Sequence, residues 1–171
     1  MSNTPKPLPD IRSLEESRTE CHNYGAVLTA GPSLEEVSDF GHPSHKVFEF
    51  KDTDWGPLAP KLSDVVGMLE WGTGKDSLLV HCHAGISRST ATAWGIAISN
   101  GWDPEEALGQ LIAKHPLDYY RITVPADNRT ERLRRPFSPN PLIVQHLESI
   151  FGFRNGELRD LRDQMATGGI W

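Results

Sequence analysis

The short run Ser77–His81 (SLLVH) constrains the fold of this chain more than any other stretch. It is almost wholly apolar and shows no alternation, the pattern of a strand covered on both faces, as in a parallel sheet. Small residues and a glycine follow it. Then Arg88 to Asn100 (RSTATAWGIAISN) reads as a buried helix, stopped by Asn100-Gly101. A strand running through a tight loop into a helix is half of a βαβ unit, and it places the chain among α/β proteins.

Other segments agree. Tyr24–Thr29 (YGAVLT) is a short buried-strand candidate closed by Gly31-Pro32, after which Ser33 can cap a short helix over 34–37. Lys46–Phe50 (KVFEF) alternates as a strand with one covered face does. Helical spacing runs from Leu58 to Trp71 and ends at Gly72-Thr73-Gly74. Asp103-Pro104 opens a helix reaching about His115, Asn140-Pro141 opens another to Phe151-Gly152, and a charged terminal helix is expected within 153–171. The expected fold is a single α/β domain over 13–171, with a small, mainly parallel central sheet flanked by helices. Only three strands are evident, and a fourth is sought near Asp10-Ile11 or in 117–125. Residues 1–12, with several prolines, read as a flexible leader.

The chain has 171 residues, enough for one core. No apolar run approaches the roughly 20 residues that cross a bilayer. No charged-then-apolar leader is present, so a cytoplasmic address and no membrane partner are expected. The net charge of −6 speaks against a general nucleic-acid binder. Two cysteines, Cys21 and Cys82, are too few for a disulfide scaffold, although a protective bond between them is one possibility.

The chemistry gathers in His81-Cys82-His83-Ala84-Gly85-Ile86-Ser87-Arg88-Ser89-Thr90. A cysteine ends the buried strand and an arginine opens the helix. The small residues between can curl so that backbone N–H groups converge, which makes an anion nest at a helix N-terminus. The same field favours a thiolate. Arg88 supplies a planar fork that matches two phosphate oxygens.

This loop resembles the HCxxGxxR(S/T) signature of the cysteine-dependent protein tyrosine phosphatase superfamily, and its wording is most similar to the small dual-specificity branch. The resemblance implies a phosphomonoester hydrolase with no cofactor. Cys82 would be the nucleophile that forms a phosphocysteine, and Arg88 the phosphate clamp. Ser89 would assist sulfur departure, and His81 would orient the loop and hold the thiol pKa down. Residues His83, Ala84, Gly85, Ile86 and Ser87 would line the phosphate site. It also implies a general acid on a loop about 30 residues upstream of the cysteine, because the leaving oxygen needs a proton. Asp52, directly after the KVFEF strand, is the first choice and Asp54 the alternative; either could instead cap the helix entered near Pro57–Pro60. The run Arg135–Pro141 (RPFSPNP) resembles the family's RP-x-x-x-PN segment, which packs beneath the loop, with Asn140 capping the next helix.

Residues 116–135 depart from that pattern as an insertion holding Tyr119, Tyr120, Arg121, Arg129, Arg132, Arg134 and Arg135. They form either a solvated flap or an arm for an acidic or phosphorylated partner. The absence of lysine at Ile86 and Ser87 disfavours phosphoinositides, so a phosphorylated protein, phosphotyrosine first and phosphoserine/threonine second, is the expected substrate. Rival readings are a non-catalytic phosphate-binding module, a phosphatase for a non-protein phosphate, and an arsenate reductase or sulfurtransferase. A metal site from His42, His45, His81 and His83 is disfavoured, because side chains alternate across a strand end and Arg88 would repel a cation.

Overall fold

The computed structural model describes residues 4–115, 122–123, 130–131 and 135–167. Its centre is a four-stranded, all-parallel sheet in the order β1-β4-β2-β3. These strands are β1 (Asp10–Arg12), β2 (Ala26–Gly31), β3 (His45–Glu49) and β4 (Leu78–His81). The helices are α1 (Leu14–Glu20), α2 (Leu62–Gly72), α3 (Arg88–Ser99), α4 (Pro104–Lys114), α5 (Pro141–Phe151) and α6 (Glu157–Met165). This is the α/β architecture the SLLVH run called for, and β2 and β4 are buried along their whole length.

The fourth strand lies at the first of the two places the sequence offered for it, near Asp10-Ile11, at the end of the stretch read as a leader. Asp10–Arg12 pairs in parallel with Leu79–His81. Neighbouring side chains tie this segment down. Lys6 Nζ meets Asp76 at 2.7 Å, Trp102 Nε1 donates to the Lys6 carbonyl, and Lys114 Nζ reaches Asp10. A three-residue edge strand has too few residues to show a period, which is why composition alone read it as leader.

Alternation along the strands divides the core in two. Ala26, Leu28 and Ala30 of β2, with Leu78 and Val80 of β4, face the larger cluster, built with α2, α3, α4, α5 and α6. Val27 and Leu79 face a smaller one with Leu14, Cys21, Val37 and Phe40. α3 is the central helix: from Arg88 to Ala97 every residue is buried. Ala91, Ala93 and Ala97 keep it slim enough for its neighbours to close on it, and Trp94 fills the remaining volume while its Nε1 donates to the Pro104 carbonyl.

Caps fix where the helices start. The Ser13 hydroxyl accepts from Glu16 N–H while the Glu16 carboxylate accepts from Ser13 N–H, a reciprocal capping box at α1. Asp103 caps α4. Asn140 Oδ1 accepts from both Leu142 and Ile143 N–H and caps α5 as expected. α2 begins later than its periodicity suggested, after Pro57–Pro60, with the Asp64 carboxylate accepting from Lys61 N–H. Neither Asp52 nor Asp54 caps it. Ser33 builds a capping box with Glu36, but the chain continues as turns, not as the expected helix.

Of the 116–135 insertion the described residues give Ile122–Thr123 and Thr130–Glu131, an antiparallel pair labelled β5 and β6, and Arg135. Tyr119, Tyr120, Arg121, Arg129, Arg132 and Arg134 lie outside the described residues. Among those described, no helix is long and apolar enough to cross a membrane.

Leu147 of α5 is wholly buried within the larger cluster. Leu147→Ala should destabilise the protein by about 2–5 kcal/mol, read as a lower urea midpoint at unchanged slope.

Candidate active site

The loop between β4 and α3 is shaped by where its carbonyls go. His83 C=O accepts from Leu14 N–H at 2.9 Å, Ile86 C=O from Ser138 N–H at 3.0 Å, and Ser87 C=O from Asn140 N–H at 3.1 Å. All three donors lie outside the loop. In a planar trans peptide the carbonyl and the next N–H point in opposite directions, and there is no cis bond among the described residues. The N–H groups of Ala84, Ser87 and Arg88 are therefore turned inward. Gly85 N–H joins them, donating to Cys82 Sγ at 3.3 Å. Gly85 sits at φ +71, and a Cβ there would come within 2.9 Å of the Arg12 backbone and 3.0 Å of Arg135 Nη1. Only glycine permits this curl. The RPFSPNP segment thus packs beneath the loop, and Arg135, 3% exposed at its side chain, is held by Glu16 at 2.6 Å.

At the centre lies Cys82, 2% exposed, with its Sγ 3.1 Å from Ser89 Oγ. The sulfur therefore has two hydrogen-bonding neighbours, Gly85 N–H and the Ser89 hydroxyl, each able to donate to a thiolate. Cys21 is also a free thiol, buried in the smaller cluster beside the Phe40 carbonyl; burial raises its pKa, so it stays protonated.

Arg88 is 6% exposed, and two of its five donors have partners. Nη1 donates to the Phe50 carbonyl at 3.0 Å and Nη2 to His83 Nδ1 at 2.8 Å. Its Nε is buried without a partner. An unsatisfied buried guanidinium N–H is costly unless something arrives to accept from it, and an oxyanion does so in the required geometry. The guanidinium lies against Gly31, where a Cβ would fall 2.1 Å from Nη1. Gly31 therefore functions as the floor of the clamp, a role its sequence context (Gly31-Pro32) disguises as a strand-ending turn.

His83 is not just a rim residue. Since Arg88 can only donate, Nδ1 of His83 accepts, and its Nε2–H donates to Glu36 Oε1 at 2.7 Å. That bond, with Ser33 N–H on the other oxygen, pulls the Glu36 carboxyl down to about 2.

His81 is fully buried and lies against Phe40, its ring tilted by 39°. Its hydrogen bonds define its tautomer. Nδ1 lies 3.1 Å from the Cys82 carbonyl, which can only accept, so Nδ1 carries the proton. Nε2 then accepts from Thr29 Oγ1 at 2.7 Å, and Thr29 in turn accepts from His45 Nε2 at 2.7 Å. Burial lowers the His81 pKa to about 4, so the ring is neutral and orients the loop through the Cys82 carbonyl. Thr29, Glu36 and Gly31 are site residues that sequence reading missed, and His45 was weighed there only as a metal ligand. Each lies on β2, β3 or the turn between them, and only the Ser33-x-x-Glu36 capping box gave any sign of one. His42 bonds the Tyr24 carbonyl and Ser44 N–H, His83 bonds Arg88 and Glu36, and His45 and His81 share Thr29, so the four histidines weighed as metal ligands fall into three hydrogen-bond sets.

Asp52 comes to the loop. Its Oδ1 accepts from Ser87 Oγ at 2.8 Å and from Asn140 Nδ2 at 3.0 Å. Asp54 is exposed and makes no hydrogen bond or ion pair through its side chain among the described residues. A cleft of about 290 Å³ is lined by Gly31, Phe50, Lys51, Leu58 and Glu36 among others; neither Cys82 nor Arg88 lines it. Trp55 (78% exposed) projects from the loop that carries Asp52.

No family model matches the sequence, and no curated protein matches it. The chain is similar to several solved phosphatase structures. One is the PTP-2 phosphatase of Cydia pomonella, at 19% identity over 74% of this chain and 92% of that one, with a TM-score of 0.48. Another is PTPMT1 in complex with PI(5)P, at 16% identity over 95% of each chain and a TM-score of 0.48. A third is Tk-PTP in its active form, at 22% identity over 66% of this chain and 81% of that one, with a TM-score of 0.45. At these distances, what the site does has to be read from its own atoms.

Because His81 holds its proton less tightly when folded (about 4) than its ordinary 6.5, the unfolded chain binds more protons between those values. Stability should therefore fall as pH drops from 6.5 toward 4, by an amount of order 3 kcal/mol from this residue. Urea titrations across that window should show the slope, and His81→Asn, which can still donate to the Cys82 carbonyl, should flatten it.

Proposed function

We propose that this chain is a phosphomonoester hydrolase working through a phosphocysteine intermediate, with protein phosphotyrosine as its substrate. The observation that carries the reading is Cys82 Sγ accepting from Gly85 N–H in a loop whose His83, Ile86 and Ser87 carbonyls are bonded outward, beside a buried guanidinium whose Nε has no partner. That arrangement suits a trigonal oxyanion and the charge that grows on it during transfer.

In the first step the Cys82 thiolate attacks phosphorus, the ester P–O bond breaks, and Asp52 gives its proton to the leaving oxygen. Water then attacks the phosphocysteine, Asp52 takes one of the water's protons, and the S–P bond breaks. Inorganic phosphate leaves, and the Ser89 hydroxyl, 3.1 Å from Sγ, steadies the returning thiolate. Ala84, Gly85, Ser87 and Arg88 supply N–H groups to the phosphoryl oxygens, Ile86 holds the curl, and His81 and His83 orient the parts. No cofactor takes part. Asp52 is favoured over Asp54 because Ser87 and Asn140 hold it against the loop. Exposed Trp55 and Leu58, on the stretch that follows Asp52, favour an aryl ester on a protein, as does the lack of lysine at Ile86 and Ser87.

Initial rates on phosphotyrosine peptide, phosphothreonine peptide and a phosphoinositide will test this. The phosphotyrosine peptide should be turned over fastest, and Cys82→Ser should abolish turnover of all three. Asp52→Asn should lower kcat on the peptides by about 10²–10³, while Asp54→Asn should stay within about twofold of wild type. A wild-type protein that hydrolyses none of them is not a phosphatase of this kind, and a phosphoinositide turned over fastest would overturn the protein substrate.

A further inference from the structure

Arg88 reaches the phosphate site from a buried position, and its orientation is set before any ligand arrives. On one side the Phe50 carbonyl takes Nη1; on the other His83 Nδ1 takes Nη2; beneath lies the Cβ-free face of Gly31. Of the two side-chain partners, Phe50 offers a rigid backbone carbonyl. His83 offers an imidazole whose side chain is 43% exposed and whose ring must be held in one tautomer and one rotamer to accept from Arg88.

The group that holds it is Glu36. Its Oε1 lies 2.7 Å from His83 Nε2, which must carry the ring proton while Nδ1 accepts. A carboxylate on one ring nitrogen fixes the tautomer and makes the opposite nitrogen a better acceptor. Glu36 itself does not swing freely. Its Oε2 accepts from Ser33 N–H at 2.7 Å and its own N–H donates to Ser33 Oγ. The turn after β2 thus anchors a carboxylate, the carboxylate anchors an imidazole, and the imidazole anchors the guanidinium.

We propose that Glu36 is a positioning residue for the oxyanion clamp, acting on Arg88 through His83. It touches neither substrate nor the reacting atoms. By holding Arg88 before binding it spares the entropy of ordering a long side chain, leaving Nε and the remaining Nη protons presented to the oxyanion. The inference rests on the anion-site part of the proposed function, and not on turnover.

The test reads oxyanion affinity apart from catalysis. Iodoacetate alkylation of Cys82 is followed with increasing inorganic phosphate, which protects the thiol when bound. Glu36→Gln and Glu36→Ala should weaken protection by about five- to tenfold, with the unprotected alkylation rate within about twofold of wild type. His83→Ala should weaken protection at least as much. The double variant Glu36→Ala/His83→Ala should be no worse than His83→Ala alone, since a carboxylate whose only route is the ring has nothing left to act on. Ser33→Ala removes the cap hydroxyl but leaves the relay, and should keep wild-type protection, which separates the relay from general loosening of the turn. Wild-type affinity in both Glu36 variants, additive losses in the double variant, or an equal loss in Ser33→Ala would each overturn the proposal. Phosphate protection without turnover in wild type would sink the phosphatase reading and leave the relay to be judged on these numbers.

Discussion

The carbonyl oxygens of His83, Ile86 and Ser87 each accept an N–H from another part of the chain, and the site depends on those three bonds. Loosen them and the peptide planes can rotate, the N–H groups lose their common focus, and the thiol becomes an ordinary buried cysteine. Because the peptide unit is flat, an outward carbonyl and an inward N–H are one decision rather than two. The loop's affinity for anions is thus set on its outer surface, by Leu14, Ser138 and Asn140, which contribute no side-chain atom to the cradle through these bonds.

The same logic of fixing from behind recurs around the loop. His81 is neutral and touches no substrate, yet its Nδ1–H holds the Cys82 carbonyl, and Thr29 and His45 hold His81. Asn140 does three things at once: its N–H takes the Ser87 carbonyl, its Oδ1 caps α5, and its Nδ2 holds Asp52. One residue therefore couples loop curvature, helix start and the placement of Asp52.

The sequence was legible where chemistry is local. SLLVH, the small-residue loop and the helix from Arg88 are contiguous, so their residue types carry the strand, the nest and the clamp together, and Cys82, Arg88, Ser89 and His81 sit where that run placed them. Asn140 was readable too, as a cap before Pro141. What could not be read depends on pairing between distant segments. Whether Arg88 rests on Gly31 or on another small residue is decided by the register of β2 against β4, which puts Thr29 opposite His81. Glu36 shows only as part of a turn, because its partner lies 47 positions away. β1 could be offered near Asp10-Ile11 only as one of two places for a related reason: a three-residue strand has no period, and its identity comes from pairing with β4.

The long reach of the loop's supports carries a consequence for the order of folding. Cys82 and Arg88 leave the ribosome before Ser138 and Asn140, whose N–H groups hold two of the three carbonyls. A chain made from its N-terminus can therefore complete β4 and begin α3 while the cradle has no outer brace. These are contacts of high sequence separation, which form late because loop closure precedes their reward. Until residues 138–140 dock, the nascent protein holds Cys82 in a loop with two of its three outer carbonyl bonds unmade, so the loop's final shape arrives with the last third of the chain and not with the motif itself.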